Sequence, residues 1–286
     1  MQDTGDEVQE LTLAAGTHRW RVLKTGHGPV ALCLHGAGGS ADSFLPLMRI
    51  LSSDLTMVAP DLPGHGRTRL GSPARSGLAA MTDDIAALVE AMNIAPQLMI
   101  GHSAGAAIAL NLDQRLSPRG YVLINAALSE FQGLAGWLFP VMAKGLSMTP
   151  FAADFLSRSL GRQSKLQGLL ASTGSAVTDE ILNRYSALAR NRDHVDGTLK
   201  MMAAWDLKPL LKRLSEIRTP TLLIAAKNDG TVPLSVSKKA KQTLRSADLV
   251  IHEGGHLLHE ENAQTVAEDI RAFLRALDAP TQTTSC

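Results

Sequence analysis

Short apolar runs alternate with helical patterns along most of this chain, and this alternation restricts the possible folds more than any other feature. A turn near Gly16 divides residues 8–23 into an antiparallel hairpin. Six further aliphatic runs predict strands at 29–34, 55–59, 97–100, 121–125, 221–225 and 247–252. Helical spacing is clear at 78–92 and 266–277. The sequence therefore predicts an α/β fold with a mostly parallel, eight-stranded sheet and helices on both faces.

The rhythm breaks between residues 127 and 207, where helical pattern continues without a strand. We expect a helical insertion here, called the lid, over a core made of residues 1–126 and 208–286. Most of its aromatic and methionine side chains are expected to pack a small core of the lid itself. The others should line an apolar pocket between lid and sheet. The predicted substrate-binding residues are Trp137, Phe139, Met142, Met202 and Trp205.

Composition argues against several classes of protein. The 286 residues carry a net charge of +1 with 19% charged residues, which gives no basic surface for nucleic acid. Two cysteines, Cys33 and Cys286, cannot form a disulfide framework, so a reducing compartment is expected. The polar start is unlike a signal peptide, and no stretch approaches the ~20 apolar residues of a membrane span. We expect a soluble, cytoplasmic protein without a transmembrane segment.

The segment Gly101–Gly105 (GHSAG) is the strongest chemical signal. It lies between the run 97–100 and a helical pattern, which is the strand–turn–helix setting of a serine nucleophile elbow. Small neighbours are needed because the sharp turn lifts the serine Oγ to the top of the sheet. The helix N-terminus that follows favours developing negative charge. We predict Ser103 as the nucleophile.

A second glycine-rich segment, His35–Gly39, follows the run 29–34. Such a segment supplies half of an oxyanion hole, and the residue after the nucleophile supplies the other half. We therefore expect the backbone N–H groups of Ala37 and Ala104 to converge on a carbonyl oxygen as it becomes negatively charged.

The same glycines also fit a dinucleotide fingerprint. The pattern GxGxxA begins at Gly36, and Asp61 stands near the end of the next strand. A hairpin precedes this strand, His35 precedes the glycines, and the serine elbow follows, all of which disfavour the alternative. No cofactor is predicted, and Asp61 is interpreted as a residue that tightens its loop.

An acid and then a base follow a serine elbow of this kind along the chain. Asp229 lies in the loop after the run 221–225, and His256 follows two glycines after the last strand. Asn125 occupies the other position at which an acid could stand, but an amide cannot serve. Asp206 is interpreted as a helix cap. The predicted catalytic residues are Ser103, Asp229 and His256.

Other histidines compete with His256 for the role of base. His102 lies inside the elbow and His252 on a predicted strand, and both are interpreted as structural. His259 begins the next helix beside Glu260 and Glu261, so we expect it at the solvated surface.

These residue types point to acyl transfer. Ser103 would attack an acyl carbonyl while His256 accepts its proton, and Asp229 would fix the imidazole tautomer and stabilise the imidazolium. Water would then release the acyl group from the enzyme. A serine at the elbow argues against dehalogenase and epoxide-hydrolase chemistry, for which this fold uses aspartate.

The core motifs resemble the α/β-hydrolase superfamily, and further segments resemble the magnesium-chelatase accessory proteins of bacteriochlorophyll biosynthesis. The lid segments discriminate best, because many families share the triad motifs. The resemblance covers roughly residues 8–275, with Ser172 where that family usually has glycine. It rests on the segments 102–110, 123–128, 133–139, 172–175, 194–207 and 254–261.

The resemblance implies a role close to magnesium insertion into protoporphyrin IX, with magnesium-chelatase subunits as partners. The sequence has no GxxxxGK[ST] loop for ATP and no clustered metal ligands, so this chain is expected neither to drive that insertion nor to hold a metal. One hypothesis is a serine hydrolase of an apolar ester, such as a tetrapyrrole ester. A second is a non-catalytic porphyrin-binding accessory protein. A third is a general carboxylesterase or carbon–carbon bond hydrolase unrelated to pigments.

Overall fold

A computed structural model describes residues 7–129, 149 and 152–279. Its strands form a single eight-stranded sheet in the order β1-β2-β4-β3-β5-β6-β7-β8. Strands β1 and β2 pair antiparallel, and β3 to β8 run parallel to one another. The predicted fold class is confirmed. The strands are β1 Gln9–Ala15, β2 His18–Thr25, β3 Val30–Leu34, β4 Thr56–Pro60, β5 Leu98–His102, β6 Gly120–Ile124, β7 Thr221–Ala226 and β8 Ala247–His252.

The described α-helices alternate with the parallel strands, except between β6 and β7. Within the described ranges, no helix is long and apolar enough to cross a membrane. The helices are α1 Leu45–Leu51, α2 Leu78–Ala91, α3 Ala104–Asn111, α4 Asp113–Leu116, α5 Ala152–Leu160, α6 Gln163–Ser172, α7 Asp179–Arg190, α8 Arg192–Ala204, α9 Lys208–Arg213, α10 Leu234–Thr243, α11 Leu258–Glu261 and α12 Ala263–Asp278.

Strands β3 to β7 are buried on both faces of the sheet, which explains their continuous apolar sequences. One core cluster contains Trp20 and the inner faces of α2 and α3. The other contains Phe44 and the inner faces of α1 and α12. The helical spacing seen in the sequence is therefore the spacing of buried side chains such as Met81 and Ile270.

Helices α5 to α8 form the described part of the lid, between β6 and β7. Their small core is aliphatic and includes Leu170 and Leu182. The expectation that aromatic and methionine side chains fill it is wrong for the described residues. Phe155 is 72% exposed, while Met201 packs into the main core. Leucine and isoleucine on α6 and α7 form most of this core, and Tyr185 packs against it.

Helix α8 lies directly on two loops of the core. His194 accepts a hydrogen bond from the N–H of Gly66 (3.0 Å) and contacts the carbonyl of Gly38 through its other ring nitrogen (3.2 Å). A Cβ added at Gly197 would collide with the carbonyl oxygen of Gly64. The backbones therefore touch at a point where only glycine fits.

This contact gives a prediction about two glycines in lid helices. Alanine is favoured over glycine within a helix by about 1 kcal/mol, but Gly197→Ala would force α8 away from Gly64. We expect Gly197→Ala to lower the free energy of unfolding by about 1–3 kcal/mol. Gly168→Ala on α6, where an added Cβ meets nothing within 4 Å, should raise it. Urea unfolding measures both. Stabilisation by both variants would contradict the contact.

Candidate active site

Ser103 stands between β5 and α3 in a strained backbone conformation, with φ 52° and ψ −117°. A Cβ at Gly101 would lie 2.5 Å from the Cα of Ala106, and one at Gly105 would collide with the carbonyl of Leu34. Both flanking glycines are thus required by close backbone contacts. This packing maintains the strained turn, which places Ser103 at the carboxyl edge of the sheet, where it is 9% exposed.

His256 and Asp229 meet at the same edge, although 27 positions separate them. The His256 Nδ1 lies 2.8 Å from Asp229 Oδ2, and the carboxylate is fully shielded from solvent. The other carboxylate oxygen accepts the backbone N–H groups of Thr231 (2.7 Å) and Val232 (2.8 Å). A carboxylate acceptor requires the Nδ1–H tautomer of His256, so its Nε2 remains able to accept a proton.

Two buried side chains hold the backbone of His256. The Asn125 amide donates to the carbonyls of Gly255 (3.0 Å) and His256 (2.9 Å), and its oxygen accepts the N–H of Ala226 (2.7 Å). His102 donates through Nε2 to the same carbonyl of His256 (2.9 Å). A carboxylate at position 125 could not donate these bonds. The sequence excluded Asn125 as an acid but gave no sign of this positioning role.

The loop that carries Ala37 is fixed by His35. The fully buried His35 accepts the N–H of Leu62 at Nε2 (2.9 Å), so its Nδ1 carries the proton and donates to the carbonyl of Gly36 (2.8 Å). Burial lowers the pKa of His35 well below its ordinary value, which keeps it neutral. Because a trans peptide points its C=O and the next N–H in opposite directions, anchoring Gly36 also orients the N–H of Ala37.

Ala104 is the first residue of α3, where a helix has backbone N–H groups without intrahelical acceptors. Gly36 brings the two halves of the predicted oxyanion hole together, since a Cβ there would lie 2.9 Å from the Cβ of Ser103. Ala37 is exposed and Ala104 is buried. The arrangement suits an anionic oxygen next to the serine.

Asp61 braces the loop after β4, as predicted. Its carboxylate accepts the N–H groups of Ala41 and Arg67, both at 2.8 Å, and lies 3.4 Å from the Arg21 guanidinium. Burial raises the pKa of Asp61. Because these bonds occupy the fully buried carboxylate, it cannot reach the ribose of a dinucleotide, which disfavours that alternative.

The expectation for His259 is wrong. It is 0% exposed, with its ring 4.3 Å from that of His102 and 5.2 Å from that of Phe44. The adjacent Glu260 is buried as well and pairs with Arg184 of the lid. Helix α11 has four residues, so its sequence is too short to show which side faces the core. Burial lowers the pKa of His259 to about 3.

The predicted substrate-binding residues are only partly described. Trp137, Phe139 and Met142 lie outside the described residues. Met202 and Trp205 are half-buried, and Trp205 packs against the main core. A role for these five side chains in binding substrate stays a prediction.

A family model for the α/β-hydrolase fold matches residues 29–263. The chain belongs to the α/β-hydrolase family. More closely, it is a homologue of the magnesium-chelatase 30 kDa subunit of Rhodobacter capsulatus, with 43% identity over 257 residues that cover 89% of this chain and 90% of that protein. The resemblance recognised in the sequence is confirmed.

The chain is also similar to a deacetylase in sequence and to an esterase in structure. Pyrrolizixenacetamide deacetylase of Xenorhabdus hominickii is 26% identical over 269 residues, which cover 89% of this chain and 94% of that protein. An esterase structure from Exiguobacterium antarcticum superposes with a TM-score of 0.77 at 16% identity, covering 93% of this chain and 100% of the esterase. The structural likeness shows the shared fold.

The buried histidines predict loss of stability in acid. Burial lowers the pKa of His65 to about 4 and those of His194 and His259 to about 3, from an ordinary value of 6.5. Between the lowered pKa and 6.5, each of these histidines binds more protons in the unfolded chain than in the folded one. The contribution of each histidine to the free energy of unfolding is therefore complete above pH 6.5 and falls as the pH drops. Each histidine should contribute a slope of about 1.4 kcal/mol per pH unit.

Glu260 acts in the opposite direction, because burial raises its pKa to about 7 and its contribution is lost as the pH rises. We therefore expect a net fall in the free energy of unfolding from pH 6 to pH 4, measured by urea titration. His194→Gln should reduce the slope of the free energy of unfolding against pH by the contribution of one histidine, about 1.4 kcal/mol per pH unit. His27→Gln, at an exposed position, should leave this slope unchanged. Equal slopes in the two variants would contradict the assignment.

Proposed function

We propose that this protein is a serine hydrolase that cleaves an apolar carboxylic ester in bacteriochlorophyll biosynthesis and acts beside magnesium chelatase. The strained backbone of Ser103 carries the proposal. A non-glycine residue at φ 52°, ψ −117° costs on the order of 1–3 kcal/mol, and such strain clusters at functional sites. The buried pair of His256 and Asp229 at the same sheet edge supports it.

In the proposed mechanism, the Ser103 Oγ attacks the ester carbonyl and its proton passes to the Nε2 of His256. Asp229 holds the Nδ1–H and stabilises the imidazolium. The backbone N–H groups of Ala37 and Ala104 stabilise the oxyanion. His256 then gives its proton to the leaving alcohol, and a water molecule activated by the same imidazole hydrolyses the acyl-enzyme.

The substrate class follows from the lid and the relatives. We propose that the lid, residues 127–207, covers the site. The lid side chains proposed to contact the substrate are Trp137, Phe139, Met142, Met202 and Trp205. A tetrapyrrole ester fits an apolar wall, and it fits the role implied by the homologous magnesium-chelatase 30 kDa subunit. That homology also suggests chelatase subunits as partners.

A second function, non-catalytic binding of a porphyrin, is favoured by one observation. The relative with 43% identity carries the name of a magnesium-chelatase subunit, which describes membership of an assembly rather than hydrolysis. A carrier would use the same apolar site without needing a strained serine. The two functions therefore differ in what Ser103 contributes.

Labelling with a fluorophosphonate tests the nucleophile. We expect one covalent adduct on the intact protein by mass spectrometry and none on Ser103→Ala. With p-nitrophenyl esters, Ser103→Ala should lower kcat by about 10⁶-fold and Asp229→Asn by about 10⁴-fold. Ser235→Ala, at an exposed serine on α10, is the matched control and should label normally. Equal labelling of Ser103→Ala and the parent would refute the assignment.

Complementation separates hydrolase from carrier. In a photosynthetic bacterium that lacks its own homologue, the parent should restore bacteriochlorophyll and Ser103→Ala should not. Full restoration by Ser103→Ala, together with saturable quenching of protoporphyrin fluorescence by both proteins, would support the carrier and reject the hydrolase.

A further inference from the structure

A short segment of the lid contacts two loops of the candidate site. Residues 173–178 connect α6 to α7, and the first four of them, residues 173–176, are called the strap. The strap lies against the loop that carries Asp229, residues 228–230, and the loop that carries His256, residues 254–256. It is thus in contact with both loops that supply the acid and the base.

One backbone carbonyl of the strap joins the two loops. The carbonyl of Thr173 accepts the N–H of Gly230 at 3.0 Å and the N–H of His256 at 3.1 Å. The first donor directly follows Asp229, and the second belongs to the proposed base. A shift of Thr173 would therefore move the backbone on both sides of the Asp229–His256 hydrogen bond.

Glycines allow the close approach of the three segments. Gly174 has φ +80°, and an added Cβ would collide with the carbonyl oxygen of Asn228. A Cβ at Gly255 would collide with the backbone N of Ser175. Glycine is therefore required on both sides for the strap to lie this close to the two loops.

Polar side chains secure the strap on the His256 side. The Oγ of Ser175, which is buried, accepts the N–H of Leu257 at 2.8 Å. The carboxylate of Glu261 accepts the N–H of Gly255 at 2.7 Å with one oxygen and that of Ala176 at 2.6 Å with the other. The two neighbours of His256 are therefore both linked to the strap. Leu257 bonds to Ser175 directly, and Gly255 bonds to the Glu261 carboxylate that also binds Ala176.

We propose that the strap is a positioning element of the catalytic site, which keeps the Asp229 loop and the His256 loop in register. The role in catalysis rests on the proposed hydrolase function. The alignment of the two loops by the strap does not rest on that function, because it concerns only the hydrogen bond between His256 and Asp229. A lid movement that breaks the strap contacts would also misalign this pair, so lid position and catalytic competence are coupled.

The substitution Ser175→Ala tests the strap with the smallest change, since it removes the acceptor of the Leu257 N–H. Ser172→Ala is the matched control, because that exposed hydroxyl bonds only to the carbonyl of Leu169 among the described residues. With p-nitrophenyl esters, we expect Ser175→Ala to lower kcat by about 10- to 100-fold with little change in KM. The acidic limb of its kcat–pH profile should also shift. Ser172→Ala should leave both unchanged.

Proton NMR gives a readout that needs no activity. The hydrogen-bonded Nδ1 proton of His256 should give a downfield resonance, assigned by its loss in Asp229→Asn. In Ser175→Ala this resonance should move upfield or broaden by faster exchange, while the melting temperature shows that the protein is folded. Gly174→Ala, if folded, should show a larger effect.

The outcomes separate the two proposals. A changed resonance in Ser175→Ala with no esterase activity in the parent would support the strap and reject the hydrolase. An active parent with an unchanged resonance, kcat and pH profile in Ser175→Ala would overturn the strap and leave the hydrolase intact. Equal effects of Ser172→Ala and Ser175→Ala would also overturn it, because the change would then be unspecific.

Discussion

The parallel direction of the strands is the constraint on which the candidate site depends. Because β3, β5, β7 and β8 run the same way, the loops after them all reach one edge of the sheet. Those loops carry Gly36, Ser103, Asp229 and His256. Residues that are far apart in the chain therefore meet, and the strands β3, β5 and β7 that lead to three of these loops are buried on both faces.

Neutral histidines connect this edge to its surroundings. Each of three histidines bonds to a backbone carbonyl near the site. His35 bonds to that of Gly36, His102 to that of His256, and His194 of the lid to that of Gly38. Burial lowers the pKa of all three, so each donates with one nitrogen and keeps a defined tautomer at neutral pH. These neutral rings thus contribute oriented dipoles around the site without adding positive charge, and oriented dipoles of this kind can stabilise a developing oxyanion.

The described part of the lid makes close backbone contacts with the core. Helix α8 rests on the core through Gly197, and the strap lies between the loops of Asp229 and His256. Contacts with the core therefore restrict which residues these lid positions can hold. Gly174 and Gly197 illustrate this, since each has no room for a side chain.

The sequence by itself determined the strands, the strand–turn–helix setting of Ser103, the helical insertion and the family. These features are local, since apolar periodicity and closely spaced glycines are visible within a few residues. Only the tertiary structure decided that His259 and Glu260 turn inward, that Asn125 and His102 hold the carbonyl of His256, and that Thr173 joins two loops. These contacts span up to 154 positions and depend on which backbone groups meet in space, which no local pattern records.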